Sequence, residues 1–208
     1  MVKTIIDSFW AGVMIAISCM IYLAVDDISG FGHIFGASLF SGALLVICWF
    51  EMNLFTGKVG YIRKTKDLPR TAAILVGNLL GGLSIGTVKG ILPDESLEIG
   101  RAGFASKIET TFTSWNETFF AAVVCGILIY IAVEQYRHGR YYAILLCVPA
   151  FILSGGRHCI AEFCFMIAAD ATTWKALVHI GLVVVGNSIG SLMLSLWEEY
   201  KHEHCRLK

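Results

Sequence analysis

The chain has 208 residues, of which 56% are hydrophobic and 15% are charged, and its formal net charge at pH 7 is zero. The mean hydropathy of +0.70 excludes an ordinary soluble all-α protein, because too little polar sequence remains to coat a globule. The balanced charge gives the chain no general attraction to nucleic acid, so no nucleic-acid partner is expected.

Six apolar stretches are long enough to cross a bilayer as helices, which takes about 20 mostly apolar residues each. They are Ile5–Val25, Ile34–Thr56, Thr71–Leu92, Thr118–Gln135, Tyr141–Ala168 and Trp174–Trp197. The first stretch lacks a small-residue cleavage site and is followed by Asp26 and Asp27, so we interpret it as a retained span and not a signal peptide. The sequence therefore predicts an all-α protein with six transmembrane helices, forming a single domain in the lipid bilayer over residues 1–208.

Basic residues gather at one end of these spans. That end contains eleven of them: Lys3, Lys58, Arg63, Lys64, Lys66, Arg70, Arg137, Arg140, Lys201, Arg206 and Lys208. The opposite end contains four: Lys89, Arg101, Lys107 and Lys175. The positive-inside rule then predicts a multi-pass protein of the cell (inner) membrane with both termini in the cytoplasm. The longest polar connection, Pro93–Asn116, is expected to be an external loop with a short helix at Ala105–Thr111.

The pattern Gly-Asn-x-x-Gly occurs twice, with its asparagine at Asn78 and at Asn187, 109 positions apart. Both asparagines stand within long apolar segments, where the amide group is costly unless it is hydrogen-bonded. A polar signature repeated at half-chain spacing indicates two related halves, about 1–92 and 116–200. Because each half has three spans, the second half enters the membrane from the opposite side, so the predicted repeat is inverted.

The second span of each half is interrupted. Glu51 and Asn53 precede Leu54-Phe55-Thr56-Gly57 in one, and Ser154-Gly155-Gly156-Arg157-His158 stands in the middle of the other. Non-helical backbone is tolerated at membrane depth only where it is buried in protein or lines a water-filled cavity. The two glycines alone would also suit a close helix contact. Breaks at corresponding positions of both halves instead favour a binding site near the midplane.

Several short motifs follow one another in a specific order along the chain. They are Ala11-Gly12, Leu54-Phe55-Thr56-Gly57, Gly77-Asn78, Ser154-Gly155-x-x-His158-x-Ile160-Ala161 and Gly186-Asn187-x-x-Gly190. In this order and spacing the chain resembles the formate–nitrite transporter family from Lys3 to about Trp197. The resemblance implies an aquaporin-like architecture of three plus three helices, with helices 2 and 5 broken. It also implies a homo-pentamer with one pore per chain, no cofactor, no metal site and no enzymatic activity.

The resemblance also implies which residues form the pore. His158 matches the family's central histidine, Thr56 the threonine that faces it, and Asn187 the asparagine of the last span. Two apolar constrictions are matched by counting from these anchors: Phe40 and Phe151 on the outer side, and Leu44, Leu54 and Phe55 on the inner side. Four further positions are expected to modulate the pore: Asn53, Asn78, Arg157 and Glu162.

This chain departs from the family pattern beside the histidine and in both breaks. Asn53 stands where the family has an acidic residue and Glu162 where it has an asparagine, which suggests a hydrogen bond between the two. Arg157 is expected to pair with Glu162 in preference to contacting a substrate. The family's outer lysine has no clear match, because Lys107 lies about two helical turns too early and Ser114 occupies the counted position.

A bare anion pays a heavy desolvation cost in a constriction of Phe and Leu, whereas its neutral acid pays much less. A histidine between two constrictions can attract the anion as imidazolium or donate a proton to it. We therefore predict a channel or proton-coupled facilitator for small monovalent weak-acid anions and protons, formate foremost, with nitrite, hydrosulfide, acetate and lactate left open. His158 as a mere hydrogen-bonded interhelical residue is the plainer alternative.

Two other functions would need features that this sequence lacks. A neutral-solute channel of aquaporin-like architecture would share the inverted repeat, but its paired Asn-Pro-Ala segments are missing. A membrane redox subunit would need paired haem-ligand histidines, yet His33 and His179 lie near span ends and leave only His158 in mid-membrane. The tail His202-Glu203-His204-Cys205 is expected to be solvated and to bind no metal.

Overall fold

In the computed structural model, residues 1–26 and 31–205 are described. Their α-helices are α1 Val2–Asp26, α2 Gly32–Trp49, α3 Phe55–Lys58, α4 Leu68–Gly82, α5 Ile85–Val88, α6 Asp94–Thr113, α7 Trp115–Arg137, α8 Tyr142–Leu153, α9 Cys159–Ala168 and α10 Trp174–Cys205. Single 3-10 turns follow α3, precede α4 and follow α5. Asp27, which follows the predicted first span, and Arg206 and Lys208, which count among the basic residues of one end, lie outside the described residues.

Five segments are long and apolar enough to cross a membrane. They are Val2–Val25, Gly32–Trp49, Thr65–Ile91, Trp115–Arg137 and Trp174–His204. Two shorter apolar helices, α8 and α9, occupy the predicted fifth span. The chain leaves the helical conformation at residues 50–54 and 154–158, within the two spans that were predicted to be interrupted. Length and composition therefore make this an all-helical, multi-pass membrane protein.

The connection between α5 and α7 differs from its prediction. It forms the twenty-residue helix α6, so the expectation of a loop with one short helix was wrong. Asp94 and Glu95 stand in the first turn, where negative charge stabilises a helix N-terminus. One face of α6 is buried through three residues at seven-residue spacing: Leu97, Phe104 and Thr111. Burial of this face against the bundle stabilises a helix whose composition is largely polar.

The long helices pack in matching pairs. α1 packs against α4 and α2, α7 packs against α10 and α8, and α2 contacts α8. Glycines allow the closest of these approaches. A Cβ atom at Gly12 would lie 2.1 Å from the carbonyl oxygen of Asn78, and one at Gly126 would lie 2.2 Å from that of Asn187. Each Gly-Asn-x-x-Gly motif is thus pressed against the backbone of the first helix of its half.

The two helix breaks have the same backbone conformation. Glu51 and Gly155, 104 positions apart, both have positive φ angles, of 53° and 77°. In each break the following residue donates its N–H to the carbonyl five positions back, at 2.9 and 2.7 Å. This is the Schellman ending of a helix. Leu54 and His158 then take extended conformations and precede α3 and α9.

A surface ion pair ties the connection between α9 and α10 to the rest of the bundle. Lys89 donates to the carboxylate of Asp170, and Arg101 lies 3.6 Å from it. The bond from Lys89 lowers the pKa of Asp170, which is exposed to solvent. In the C-terminal tail, His202 and His204 are exposed on α10. Among the described residues, no group of three His, Cys, Asp or Glu side chains is placed to hold a metal ion.

Candidate functional site

Asn78 fixes the break between α2 and α3. Its Oδ1 accepts the backbone N–H of Phe55 at 2.7 Å, which is the first helical residue after the break. Its Nδ2 donates to the carbonyl oxygens of Ser8 at 2.7 Å and Asn53 at 2.8 Å. The side chain thus satisfies three backbone groups at membrane depth, where no lipid group could do so. This explains how the apolar third span accommodates an asparagine.

Asn187 fixes the break between α8 and α9 with the same set of bonds. Its Oδ1 accepts the N–H of Cys159 at 2.9 Å, and its Nδ2 donates to the carbonyl oxygens of Ala122 at 2.8 Å and Arg157 at 2.7 Å. Both asparagines are fully buried. Asn187 therefore holds the backbone on either side of His158, and its own side chain bonds to backbone groups.

His158 is held by two hydrogen bonds that determine its tautomer. Its Nδ1 accepts the backbone N–H of Ala161 at 3.2 Å, so that nitrogen carries a lone pair. The proton of the neutral ring therefore lies on Nε2, which is 2.9 Å from the Oγ1 of Thr56 and donates to it. The ring of Phe151 stacks on the imidazole, with 6.1 Å between the centroids. A second proton on the ring would break the bond from Ala161.

A cavity of about 230 Å³ opens on one side of His158, and we call it the histidine cavity. Its lining includes Phe40, Phe151, His158, Arg157, Lys107 and Glu162. Phe40 and Phe151, the predicted outer constriction, are both buried and both border this cavity. Two cations and one carboxylate therefore stand beside the apolar slit and the histidine.

Glu162 is the carboxylate of this group, and only 2% of its side chain is exposed. The Lys107 Nζ lies 3.0 and 3.2 Å from its two oxygens. A nitrogen of Arg157 lies 3.8 Å away and the Nε2 of His179 lies 3.5 Å away. A buried carboxylate requires such partners. Arg157 thus pairs with Glu162, as the sequence predicted.

The hypothesis of a hydrogen bond between Asn53 and Glu162 was wrong. Among the described residues, none joins these two side chains. Glu162 is surrounded by cations and His179. The backbone carbonyl oxygen of Asn53 accepts a hydrogen bond from the side-chain amide of Asn78. The physical reason is electrostatic, since an ionised carboxylate gains more from a nearby ammonium group than from an amide.

Sequence reasoning missed Lys107 and His179. Lys107 was considered to lie about two turns too early to match the family's outer lysine, and His179 was considered only as a residue near a span end. In the structure Lys107 borders the histidine cavity with its Nζ 4.8 Å from the centroid of the Phe165 ring, and His179 is fully buried. Lys107 was not assigned to the site because α6 was treated as a loop, whereas the position of His179 near the start of α10 is as predicted. The seven-residue spacing that ends at Thr111 was the available signal, because Lys107 lies one turn before it on the same helix.

A second cavity, of about 650 Å³, lies among the residues of the predicted cytoplasmic end, and we call it the basic cavity. Its charged lining consists of Lys3, Lys58, Arg70 and Arg137, with Asp7 and Glu51. Leu44 and Leu54, the predicted inner constriction, are buried residues that border it. Phe55 is buried beside Leu54 and bonds to Asn78 through its backbone.

The chain is similar to known proteins both in sequence and in fold. A family model described as "Formate/nitrite transporter" matches residues 1–200. A solved structure titled "Pentameric formate channel with formate bound" is 19% identical over 96% of each chain, with a TM-score of 0.79. Another, titled "FNT family ion channel", is 19% identical over 96% of this chain and 90% of its own, with a TM-score of 0.84. No curated protein sequence matches.

Proposed function

The chain belongs to the formate/nitrite transporter family, and from this premise we propose that it is a channel or proton-coupled facilitator for small monovalent weak-acid anions. Formate is the foremost substrate. Nitrite, hydrosulfide, acetate and lactate are further candidates of the same charge and size class. The observation that carries the proposal is the hydrogen-bonded pair of His158 and Thr56, buried between two cavities with charged linings.

The proposed path runs from the histidine cavity to the basic cavity. It passes Phe40 and Phe151, then His158 with Thr56, and finally Leu44 and Leu54. Phe55 stands beside the inner constriction, and Asn78 and Asn187 keep the two breaks open. Support comes from the lining of the two cavities, each of which includes one pair of the apolar residues.

Different residues along this path attract the anion and donate hydrogen bonds to it. His158 donates through Nε2 to Thr56 and accepts from the backbone through Nδ1, so its neutral form is fully bonded. We therefore assign attraction of the anion to Lys107 and Arg157 and not to an imidazolium ring. The Thr56 hydroxyl accepts from His158 and retains its own proton to donate to a substrate oxygen. The apolar slits favour passage of the substrate together with a proton.

The proposed architecture is six spans in an inverted repeat of three plus three, assembled as a homo-pentamer in the inner membrane with cytoplasmic termini. Asn78 and Asn187, which we call the asparagine clamps because each bonds to the backbone on both sides of a break, and the matching backbone of the two breaks support the repeat. The pentamer is proposed by analogy with the solved formate channel, whose title describes that assembly. The basic cavity supports the orientation, since its four cations belong to the end that the positive-inside rule assigns to the cytoplasm.

A substrate panel in proteoliposomes tests the function. Vesicle swelling and internal pH are recorded by stopped flow after mixing with formate, acetate, lactate, nitrite or hydrosulfide, and with urea or glycerol as neutral solutes. We expect formate to enter fastest with a coupled change of internal pH, relative to protein-free vesicles. Entry of neutral solutes alone would establish the aquaporin-like alternative, and no entry of any anion would refute the proposal.

A further inference from the structure

His179 has no role in the path described above, yet it is fully buried beside the charged group of the histidine cavity. Its Nδ1 lies 2.7 Å from the Oγ1 of Thr111, and its Nε2 lies 3.5 Å from an oxygen of Glu162. Among the described residues, Nε2 has no hydrogen-bond partner of normal geometry. A buried histidine nitrogen aimed at a carboxylate without a close bond is a feature that the transport path does not explain.

Thr111 can satisfy His179 in either protonation state. Its hydroxyl oxygen is 3.1 Å from the carbonyl oxygen of Lys107 and 3.1 Å from the Oγ1 of Thr118. With a neutral ring, the Thr111 hydroxyl donates to Nδ1 and the ring proton on Nε2 points to Glu162. With a charged ring, Nδ1 donates to Thr111, whose proton turns to Lys107 or Thr118. One rotation of a hydroxyl therefore accommodates the gain of a proton.

We propose that His179 and Glu162 form a second proton-binding centre, which sets how much positive charge Lys107 and Arg157 present to an anion in the histidine cavity. The inference rests on the proposed anion-channel function and assigns its pH response to this pair. His179 and Glu162 act through the two cations, so they are positioning residues and contact no substrate.

The direction of the effect follows from the shared carboxylate. When His179 is neutral, the single negative charge of Glu162 is shared by Lys107 and Arg157, which leaves one net positive charge. When His179 gains a proton, Glu162 is shared among three cations and the net charge beside the cavity rises by one. The affinity for an anion therefore rises as the pH falls. Formate is mostly the anion from about pH 5 to pH 8, so the species that Lys107 and Arg157 attract is present throughout this range.

Within residues 1–26 and 31–205, the charged groups and histidines around His179 and the cavity come from three helices and one break. α6 contributes Lys107, α9 contributes Glu162, and the break before α9 contributes Arg157 and His158. His33 borders the cavity from α2 and bonds to the hydroxyl of Tyr22. Protonation of His158 would break its hydrogen bond from the backbone N–H of Ala161, whereas protonation of His179 would break none. His179 is therefore better placed than His158 to accept a proton.

The test measures the formate KM of His179→Gln and Glu162→Gln in proteoliposomes from pH 5 to pH 8. We expect the KM of the parent to fall by about tenfold on acidification, within the usual range of coupling between two sites. His179→Gln should keep the high KM at every pH, because the carboxylate is never shared with a third cation. Glu162→Gln should keep a low KM at every pH, because the two cations are never compensated.

Opposite shifts in KM separate this mechanism from loss of structure, which would impair both variants alike. His202→Gln, which changes an exposed histidine of the tail, serves as the control and should follow the parent. A KM in His179→Gln that still varies with pH as in the parent overturns the inference and points to His33 or His158. Because the parent is measured alongside, formate flux in the parent keeps this failure distinct from failure of the proposed function.

Discussion

In the break between α2 and α3 the residue before the second helix is Leu54, whereas the corresponding residue of the break between α8 and α9 is His158. Both residues are extended and stand three positions after a residue with positive φ. Both breaks are bonded to an asparagine from a Gly-Asn-x-x-Gly motif. The backbone of a break is thus set by its clamp and its helix ending, and the side chains are left free to differ.

The side chains at matched positions of the two breaks differ in polarity. Thr56 stands 104 positions before Ile160, and Leu54 stands 104 positions before His158. One break therefore provides the hydroxyl and the other provides the imidazole, and the two meet in a hydrogen bond of 2.9 Å. Their counterparts at the matched positions are both apolar. A single polar pair beside apolar residues fits the proposed passage of a small anion with a proton, because a bare anion pays a high desolvation cost there.

Asn78→Leu and Asn187→Leu test whether the two asparagine clamps stabilise the protein equally. Each change leaves three buried backbone groups without a partner, at a cost of about 1–3 kcal/mol for each group. We expect both variants to lose at least about 3 kcal/mol of stability, and to melt roughly 10 °C lower in detergent if they still assemble. Thermal unfolding followed by size-exclusion chromatography measures both effects.

Ser188→Ala is the matched control for the clamps, because the Ser188 hydroxyl bonds only to the carbonyl of Val184 on its own helix. It should melt within about 2 °C of the parent. If Asn78→Leu is as stable as this control while Asn187→Leu is not, the two breaks are not held in the same way and the comparison fails.

Sequence alone predicted the two breaks and the pairing of Arg157 with Glu162, but not the place of Lys107 in that charged group. The breaks were predicted from Glu51 and Asn53 in one span and from the run Ser154–His158 in the other, because these polar residues and glycines are out of place in apolar spans. Lys107 was not assigned, because its position depends on how far α6 continues and on which face of that helix is buried. Local composition predicts a loop there, and only packing against the bundle stabilises the helix.

The difference in chemistry between the breaks is tested by His158→Leu, which makes the second break resemble the first. The asparagine clamp does not use the His158 side chain, so we expect an assembled protein with the oligomeric state of the parent. Formate flux should fall by more than about a hundredfold between pH 5 and pH 8, because Thr56 loses its partner and the dry region lengthens. Flux that remains within threefold of the parent would return His158 to the role of an interhelical hydrogen-bonding residue.

The smallest expected effect concerns the one residue of each break that has a positive φ. Glu51 has a side chain in this conformation and Gly155 has none, although the two backbones match. A non-glycine residue in the left-handed region costs about 1 kcal/mol or more. Glu51→Gly should therefore raise the melting temperature in detergent by roughly 2–4 °C, and Gly155→Ala should lower it by a similar amount. A Cβ atom at Gly155 would meet no other atom within 4 Å, so the loss in that variant is purely conformational.

Glu51→Ala is the control, because it removes the carboxylate and keeps the strain. Equal melting temperatures for Glu51→Gly and Glu51→Ala would mean that the first break is not strained at this position, and that its helix ending differs from the second.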